Sequence, residues 1–256
     1  MEVSSPPPKY SVVVVFYNEA ANIPGVMASL RPVMEALPEN YEVLLVNDGS
    51  TDHSGRLIDE AAEAWPEARA IHFTRNIGQA GALLRGLREA AGEWIFTMDG
   101  DGQNDPADFV NLLGGIGDAD LVVGVRQRRS EGWLRRSMSR LANAVRGRFL
   151  GDGVRDSGCG LKLMHRDVVG ALLPMRSLYS FIPAMATHAG FRLAEVPVRH
   201  LPRRHGESSY GLSVFFWRPT VDMLALWWLW KRRISFLAAN DSVLVERKFS
   251  SPKSGK

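Results

Sequence analysis

Trp94-Ile95-Phe96-Thr97-Met98-Asp99-Gly100-Asp101-Gly102-Gln103 is the stretch that decides the fold. Its first five residues are apolar or β-branched and of strand length. They run without interruption into a turn holding two carboxylates and three glycine or amide positions. A buried strand whose carboxyl end opens into a polar turn is how parallel sheets present a ligand site. Working outward, similar runs stand at residues 11–16, 41–46, 70–73 and 120–125. Between them residues 19–37, 54–64, 78–91 and 106–116 space their apolar side chains at three or four, as helices do. Asp105 before Pro106 reads as an N-cap with proline at the first helical position. Strand alternating with helix predicts an α/β fold, a mostly parallel sheet covered on both faces. The polar clusters then fall on one edge of it: Tyr17-Asn18-Glu19 after the first strand, Asn47 to Asp52 after the second, and Asp99 to Gln103 after the fourth.

The second half of the chain is less regular and rich in arginine. A helix is expected over residues 132–150 and short strands over 160–164 and 191–198, while residues 200–211 are too polar and Gly-rich for a core element and read as a loop. Residues 1–125 carry seven basic against nineteen acidic side chains, net −12, and residues 126–256 carry 24 against nine, net +15. Such polarity suits an acidic half that holds a cation and a basic half that faces phosphates or an anionic membrane. Nucleic acid is not expected, because arginines interleaved with stacking aromatics on a strand platform are not evident. Four of the seven tryptophans (Trp217, Trp227, Trp228 and Trp230) sit in residues 214–230, followed at once by Lys231-Arg232-Arg233. The longest apolar run there, Met223 to Trp230, is eight residues, against the roughly 20 needed to span a bilayer. Tryptophan beside a basic cluster favours the headgroup level, so this segment is expected to lie on a membrane as an interfacial helix. A helix packed on the sheet, its tryptophans in the core or at a dimer contact, is the alternative.

With 256 residues, 45% of them hydrophobic and 23% charged, the chain suits a globular protein of one large or two small domains. A single cysteine, Cys159, forms neither an internal disulfide nor a four-thiolate metal site, which points to a reducing compartment, the cytoplasm by default. Residues 1–8 have neither the basic start nor the apolar run of a signal peptide and read as a short flexible tail.

Two carboxylates one residue apart at the end of a buried strand bind one hard divalent cation, and glycines between them let a diphosphate approach the backbone. Mg²⁺ and Mn²⁺ suit such oxygen ligands and share them with substrate phosphates. An EF-hand would need Glu at its twelfth position, which counted from Asp99 is Val110. A phosphatase with an aspartyl nucleophile usually has Thr or Val where Gln103 stands, and a plain turn is the third alternative. Asp48 is a candidate acceptor from a base or ribose, with Ser50 or Thr51 as cap of the next helix. Tyr17 and Glu19 matter through position, since all three clusters would surround one crevice.

The series Val14-Val15-Phe16-Tyr17-Asn18-Glu19, Val46-Asn47-Asp48-Gly49-Ser50-Thr51-Asp52, Arg75-Asn76-Ile77-Gly78 and Met98-Asp99-Gly100-Asp101-Gly102-Gln103-Asn104-Asp105-Pro106 resembles family 2 glycosyltransferases, in particular their dolichol-phosphate mannose synthase-like branch. The resemblance covers roughly residues 9–230. It implies the nucleotide-diphospho-sugar transferase (GT-A, Rossmann-like) fold with a mixed sheet, a nucleoside diphosphate sugar donor, a divalent metal (Mg²⁺ or Mn²⁺), inversion at the anomeric carbon and a polyprenyl phosphate acceptor. Carried over, Tyr17, Glu19 and Asp48 match nucleotide-binding positions, and Asp99, Asp101 and Gln103 match metal and diphosphate positions. Arg126, Arg135 and Ser139 match acceptor-phosphate positions. Residues 155–162 resemble the branch's Asp-x-x-Gly-x-x-x-Lys/Arg segment, and His200, Arg203, Gly206, Ser208 and Tyr210 a loop that closes over the donor diphosphate. Phe16 stands where the family often has Pro, Asn47 where it often has Asp, and Ser209 where that loop often carries a basic residue. The implied organisation is a catalytic unit over 9–212, an amphipathic Trp-rich helix over 213–235 and a tail over 236–256. Many relatives carry C-terminal transmembrane helices. This chain is therefore expected to be a peripheral cytoplasmic enzyme, held to the membrane by its Trp-rich segment or by an integral-membrane partner. The same fold acting on a hydroxyl acceptor would need a carboxylate base, with Asp156 the candidate. A nucleotide-binding subunit that recruits a membrane partner is the other reading.

Overall fold

The computed structural model describes residues 6–127, 146–202 and 212–232, with backbone alone over 212–218. The first half alternates as expected: β1 (Tyr10–Phe16), α1 (Ile23–Glu35), β2 (Tyr41–Asn47), α2 (Ser54–Ala64), β3 (Ala68–His72), α3 (Gln79–Glu89), β4 (Trp94–Asp99), a 3-10 turn (Pro106–Asp108) running into α4 (Phe109–Gly114), and β5 (Leu121–Arg126). β6 (Lys162–His165), α5 (Arg166–Val169), α6 (Leu178–His188), β7 (Leu193–Val198) and α7 (Leu212–Arg232) follow. Of the helix expected over 132–150, residues 146–150 are described and are helical.

The strands form one mixed sheet of order β3-β2-β1-β4-β6-β5-β7, in which β6 alone runs antiparallel, to both β4 and β5. Alternating side chains of the apolar runs enter two cores. Val12, Val14 and Phe16 pack with Leu30 and Met34 of α1, Ile58 of α2 and Phe109 of α4. Val13, Leu44 and Val46 face Leu83, Leu84 and Leu87 of α3, in a core that also takes in Phe181 of α6 and Leu226 of α7. Burial on both faces is why these strands read as continuous apolar runs rather than as alternating ones.

Local chemistry sets the boundaries. The Asp105 side chain accepts from Ala107 N at 3.0 Å, the expected cap. α1 begins at Ile23 rather than at residue 19, because residues 19–22 form a turn in which Asn22 N and Ile23 N both donate to the Glu19 carbonyl. Ser50 and Thr51 do not cap α2: its N-cap is His53, with no side-chain cap bond. They tie the loop after β2 to the loop after β1. Ser50 Oγ accepts from Asn18 N at 3.0 Å, and Thr51 N donates to Asn18 Oδ1 at 2.8 Å. Asn18 adopts φ +53, a conformation that asparagine tolerates better than most side chains. Gly49, at φ +64, lets the backbone of Arg75 and Asn76 pass where a Cβ would sit.

α6 has no counterpart among the expected elements. Leu178, Phe181, Ile182, Pro183, Ala184, Met185 and Ala186 are all buried, so no polar face marks it as a helix. Among the described residues no helix is long and apolar enough to cross a membrane.

Candidate active site

Every strand except β6 ends at one edge of the sheet, and β6 begins there. That edge therefore gathers Tyr17 and Glu19 after β1, Asp48 after β2, Asp99, Asp101 and Gln103 at the end of β4, and Arg126 at the end of β5. His200 follows β7 on the same edge and Lys162 opens β6.

Asp48 is 1% exposed and holds the chain after β3 in place. Its carboxylate accepts from Ile77 N at 2.8 Å and from Asn76 Nδ2 at 3.0 Å. Burial raises its pKa, and hydrogen bonds from the Ile77 and Gly78 backbone oppose the rise. The Arg75-Asn76-Ile77-Gly78 turn is thus folded onto Asp48, leaving Tyr17 and Ile77 as large exposed side chains beside it. Glu19 accepts from Asn22 Nδ2, and its backbone N donates to Ser54 Oγ at 2.9 Å. Asn47, where an aspartate was expected from the family pattern, accepts from Ser50 N at 3.0 Å and places Nδ2 3.0 Å from His72 Nδ1.

The β4 turn is the most constrained part. Asp99 Oδ1 accepts from Gln79 Nε2 at 3.0 Å and Oδ2 from the Tyr179 hydroxyl at 2.6 Å, while Asp99 N donates to Asn104 Oδ1. Burial first and the neighbouring Asp101 charge second raise the Asp99 pKa. Asp101 Oδ1 accepts from Gln103 N, and Gln103 Nε2 lies 3.5 Å from His200 Nε2. Leu201 N also donates to the Gln103 carbonyl, and Arg199 pairs with Asp105 and Asp108, so the segment after β7 is fastened to the carboxylate turn.

Behind Asp99 lies a buried cation. Lys162 has no solvent exposure; its Nζ donates to the Cys159 carbonyl and sits 4.1 Å from the centroid of the Tyr179 ring. Burial pushes its pKa down to about 8. Burial and then the Asp99 charge push the Tyr179 phenol well above its usual value, keeping it a donor. Cys159 is buried with its thiol pushed up to about 11 by that burial, and is no nucleophile. Gly160 is obligatory here: a Cβ would collide with Asp99 Oδ2, with Asn104 Oδ1 at 2.6 Å and with the Tyr179 hydroxyl at 2.8 Å.

Arg126 donates from Nε and Nη2 to the two Asp156 oxygens, both at 2.8 Å, and from its backbone N to Oδ2 at 3.2 Å. Burial opposes the guanidinium charge, but the Asp156 hydrogen bonds outweigh it and raise the pKa. Asp156 is therefore a strut for Arg126 and does not stand as a free base. Arg135, Ser139, Arg203, Gly206, Ser208, Ser209 and Tyr210 lie outside the described residues. Tyr179 and Gln79 are the site residues that sequence reasoning missed; they reach Asp99 from 80 and 20 residues away, across a fold that local pattern does not encode.

The carboxylate turn fits a hard divalent cation. Two oxygen-donor side chains stand close enough for one charge to raise the other's pKa, a repulsion that a cation relieves. Among the described residues no cluster of three or more His, Cys, Asp and Glu forms a metal cage.

α7 turns one face to the core, touching α6 and its N-cap, and shows the other to solvent. Asp222 Oδ2 accepts from Ser177 N at 2.8 Å, Met223 and Leu226 are buried, and Trp230 stacks on His188 with centroids 4.1 Å apart. Val221, Leu224, Trp227 and Trp228 are exposed. Lys231 Nζ lies 4.2 Å from the Trp227 ring centroid, and the Arg232 guanidinium 5.2 Å from that of Trp228. The segment thus divides its tryptophans between an inner and an outer face, and the Trp217 side chain lies outside the described residues.

Among solved structures, glucosyl-3-phosphoglycerate synthase from Mycobacterium tuberculosis in complex with Mn²⁺, UDP and phosphoglyceric acid superposes with a TM-score of 0.66 at 19% identity, over 86% of this chain and 78% of that one. The same enzyme with Mn²⁺ and UDP-glucose gives 0.64 at 20% identity, over 86% and 79%. These likenesses show the fold, a GT-A arrangement. A curated relative, undecaprenyl-phosphate 4-deoxy-4-formamido-L-arabinose transferase of Edwardsiella ictaluri (strain 93-146), is 36% identical over 205 residues. They make up 79% of this chain, which spans 63% of that relative's length. The model of the family described as glycosyl transferase family 2 matches residues 11–173, the strands and turns that build the carboxylate edge, and the chain belongs to that family.

Proposed function

We propose that the chain transfers a sugar from a nucleoside diphosphate sugar to a polyprenyl phosphate, with inversion, at a membrane surface. The observation that carries this reading is the Asp99–Asp101 turn at the carboxyl edge of the sheet, flanked by Asp48 with its folded-in turn on one side and the Asp156-braced Arg126 on the other. The curated relative, named for transfer to undecaprenyl phosphate, supports the acceptor class.

Tyr17 and Glu19 would border the nucleotide, with Asp48 holding the Arg75–Gly78 turn against it. Asp99 and Asp101, with Gln103 beside them, would hold Mg²⁺ or Mn²⁺, which supplies neutralisation of charge on the departing diphosphate. Arg126, kept charged and aimed by Asp156, orients an acceptor phosphate oxygen toward the anomeric carbon. A phosphate monoester has its second pKa near ~6 and is already largely anionic at neutral pH, so the attack needs no strong base. The commitment of Asp156 to Arg126 fits that requirement and speaks against a hydroxyl acceptor activated by Asp156. Val221, Leu224, Trp227 and Trp228, with Lys231 and Arg232 stacked over the indoles, form the face that meets anionic lipid.

The test is a panel of radiolabelled GDP- and UDP-sugars incubated with the protein, Mn²⁺ or Mg²⁺ and polyprenyl phosphate, followed by organic extraction. Label entering the organic phase from one donor, and lost on chelation, is the expected result. Label appearing only in a soluble glycoside would overturn the lipid acceptor, and nucleotide binding without transfer would favour a partner-dependent subunit.

A further inference from the structure

We infer that Tyr179 is a positioning residue for the Asp99 carboxylate toward the divalent cation, and that Gln79 is a displaceable placeholder on the same group. The inference rests on the metal reading above. Each Asp99 oxygen accepts one hydrogen bond and keeps a second lone pair, so the two donors set which lone pairs face a cation, and their surroundings decide which donor holds the carboxylate and which can yield.

Tyr179 is held at its ring, its backbone and its hydroxyl. Its ring lies over the Lys162 ammonium, its backbone belongs to α6, whose Leu178, Phe181 and Ile182 are in the core, and its hydroxyl occupies space that only a glycine at 160 leaves open. Gly160 is pinned in turn, since its carbonyl accepts from Thr97 Oγ1 at 2.8 Å on the strand that carries Asp99. Lys162 pairs in register with Thr97 of β4 and Val123 of β5, so the cation beneath the ring is fixed by the sheet itself. The Tyr179–Oδ2 bond, at 2.6 Å, is also the shorter of the two. Gln79 differs on each count. It is the first residue of α3, it follows Gly78 at φ +93 in open space, and its side chain has three torsions to swing through. Tyr179 therefore holds Oδ2 and fixes the carboxylate plane, while Gln79, on Oδ1, can swing aside as a cation approaches.

Outer partners that orient a ligating carboxylate cost about 10–100-fold in metal affinity when removed. Mn²⁺ titrated into the protein with UDP or with GDP, free Mn²⁺ being read by electron paramagnetic resonance, should bind about tenfold more weakly to Y179F than to the unaltered chain. Y179F keeps the buried ring, so its thermal midpoint should change little while its affinity falls. G160A should weaken Mn²⁺ binding at least as much, since its Cβ forces the hydroxyl, Oδ2 and Asn104 Oδ1 apart without deleting any of them. Q79A should bind Mn²⁺ as well as the unaltered chain or better. Equal Mn²⁺ affinity in Y179F and the unaltered chain overturns the role of Tyr179, and a loss in Q79A as large as in Y179F overturns the distinction between the two donors. An unaltered chain that binds no Mn²⁺ with either nucleotide overturns the metal reading, and this inference with it.

Discussion

Replacing Lys162 by Met removes a titratable charge from a position with no solvent exposure while keeping a side chain of similar length. Burial holds the folded-state pKa at about 8 against an ordinary value of 10.5. Below pH 8 both folded and unfolded chains carry the proton, and the folded chain bears the cost of a buried ammonium. Between about pH 8 and 10.5 the unfolded chain keeps a proton that the folded chain has shed, so stability rises with pH through that window. The gap corresponds to about 3 kcal/mol in all, of which about 1 kcal/mol falls between pH 7 and pH 9. The Cys159 thiol, pushed up to about 11 from an ordinary 9.0, works in the opposite sense as pH nears 9, and because both chains carry it that contribution largely cancels in the difference. Urea unfolding of the unaltered chain and of K162M at both pH values, with equal m-values as the check on comparable unfolding, measures the effect. The unaltered chain should gain about 1 kcal/mol relative to K162M on going from pH 7 to pH 9. K162R, whose guanidinium stays charged throughout, should lack the gain. A difference between the unaltered chain and K162M that does not change with pH would refute the assignment of a buried, protonated Lys162.

Three further outcomes are expected. D99N should lower transfer at saturating Mn²⁺ by about 100-fold or more, as loss of a group that stabilises developing charge does, measured as label extracted into the organic phase. D156N should cost about 3 kcal/mol of stability by leaving the largely buried Arg126 without its carboxylate, and should raise KM for the lipid phosphate more than for the nucleotide sugar. K231A/R232A should weaken sedimentation with vesicles rich in phosphatidylglycerol by about 2 kcal/mol, roughly 30-fold, and leave binding to neutral vesicles nearly unchanged.

Why these residues and not others were legible from sequence follows from where their partners lie. β1, β2 and β4 announce themselves because Val12 to Val14, Val43 to Val46 and Ile95 to Met98 are buried on both faces and, Thr97 apart, apolar, and their helices carry a single apolar stripe. The carboxylate turn stands out because two aspartates alternate with glycines at a strand end. Tyr179, by contrast, sits in a helix with no polar side, and its hydroxyl meets Asp99 only after the chain has turned back through β6 and α5. Asp156 read as a free carboxylate because Arg126 is 30 residues away in sequence, and sequence spacing says nothing about a contact made across β5 and the approach to β6. Ser50 read as a cap because serine before a helix usually is one, whereas here the loop after β1 claims its oxygen.

The seating of α7 on α6 has a mechanical consequence. Trp230 against His188 and Asp222 on the Ser177 backbone tie the outer helix to the one that bears Tyr179, and Tyr179 touches Asp99 directly. Between the exposed indole of Trp228 and the carboxylate at the end of β4, the described contacts are the Trp230–His188 stack, the Asp222–Ser177 hydrogen bond and the Tyr179–Asp99 hydrogen bond. A surface that engages the indoles would therefore set the height and tilt of the β4 carboxylates above it. Under the proposed function, the depth to which an acceptor phosphate must rise from that surface would then be a dimension built into the scaffold.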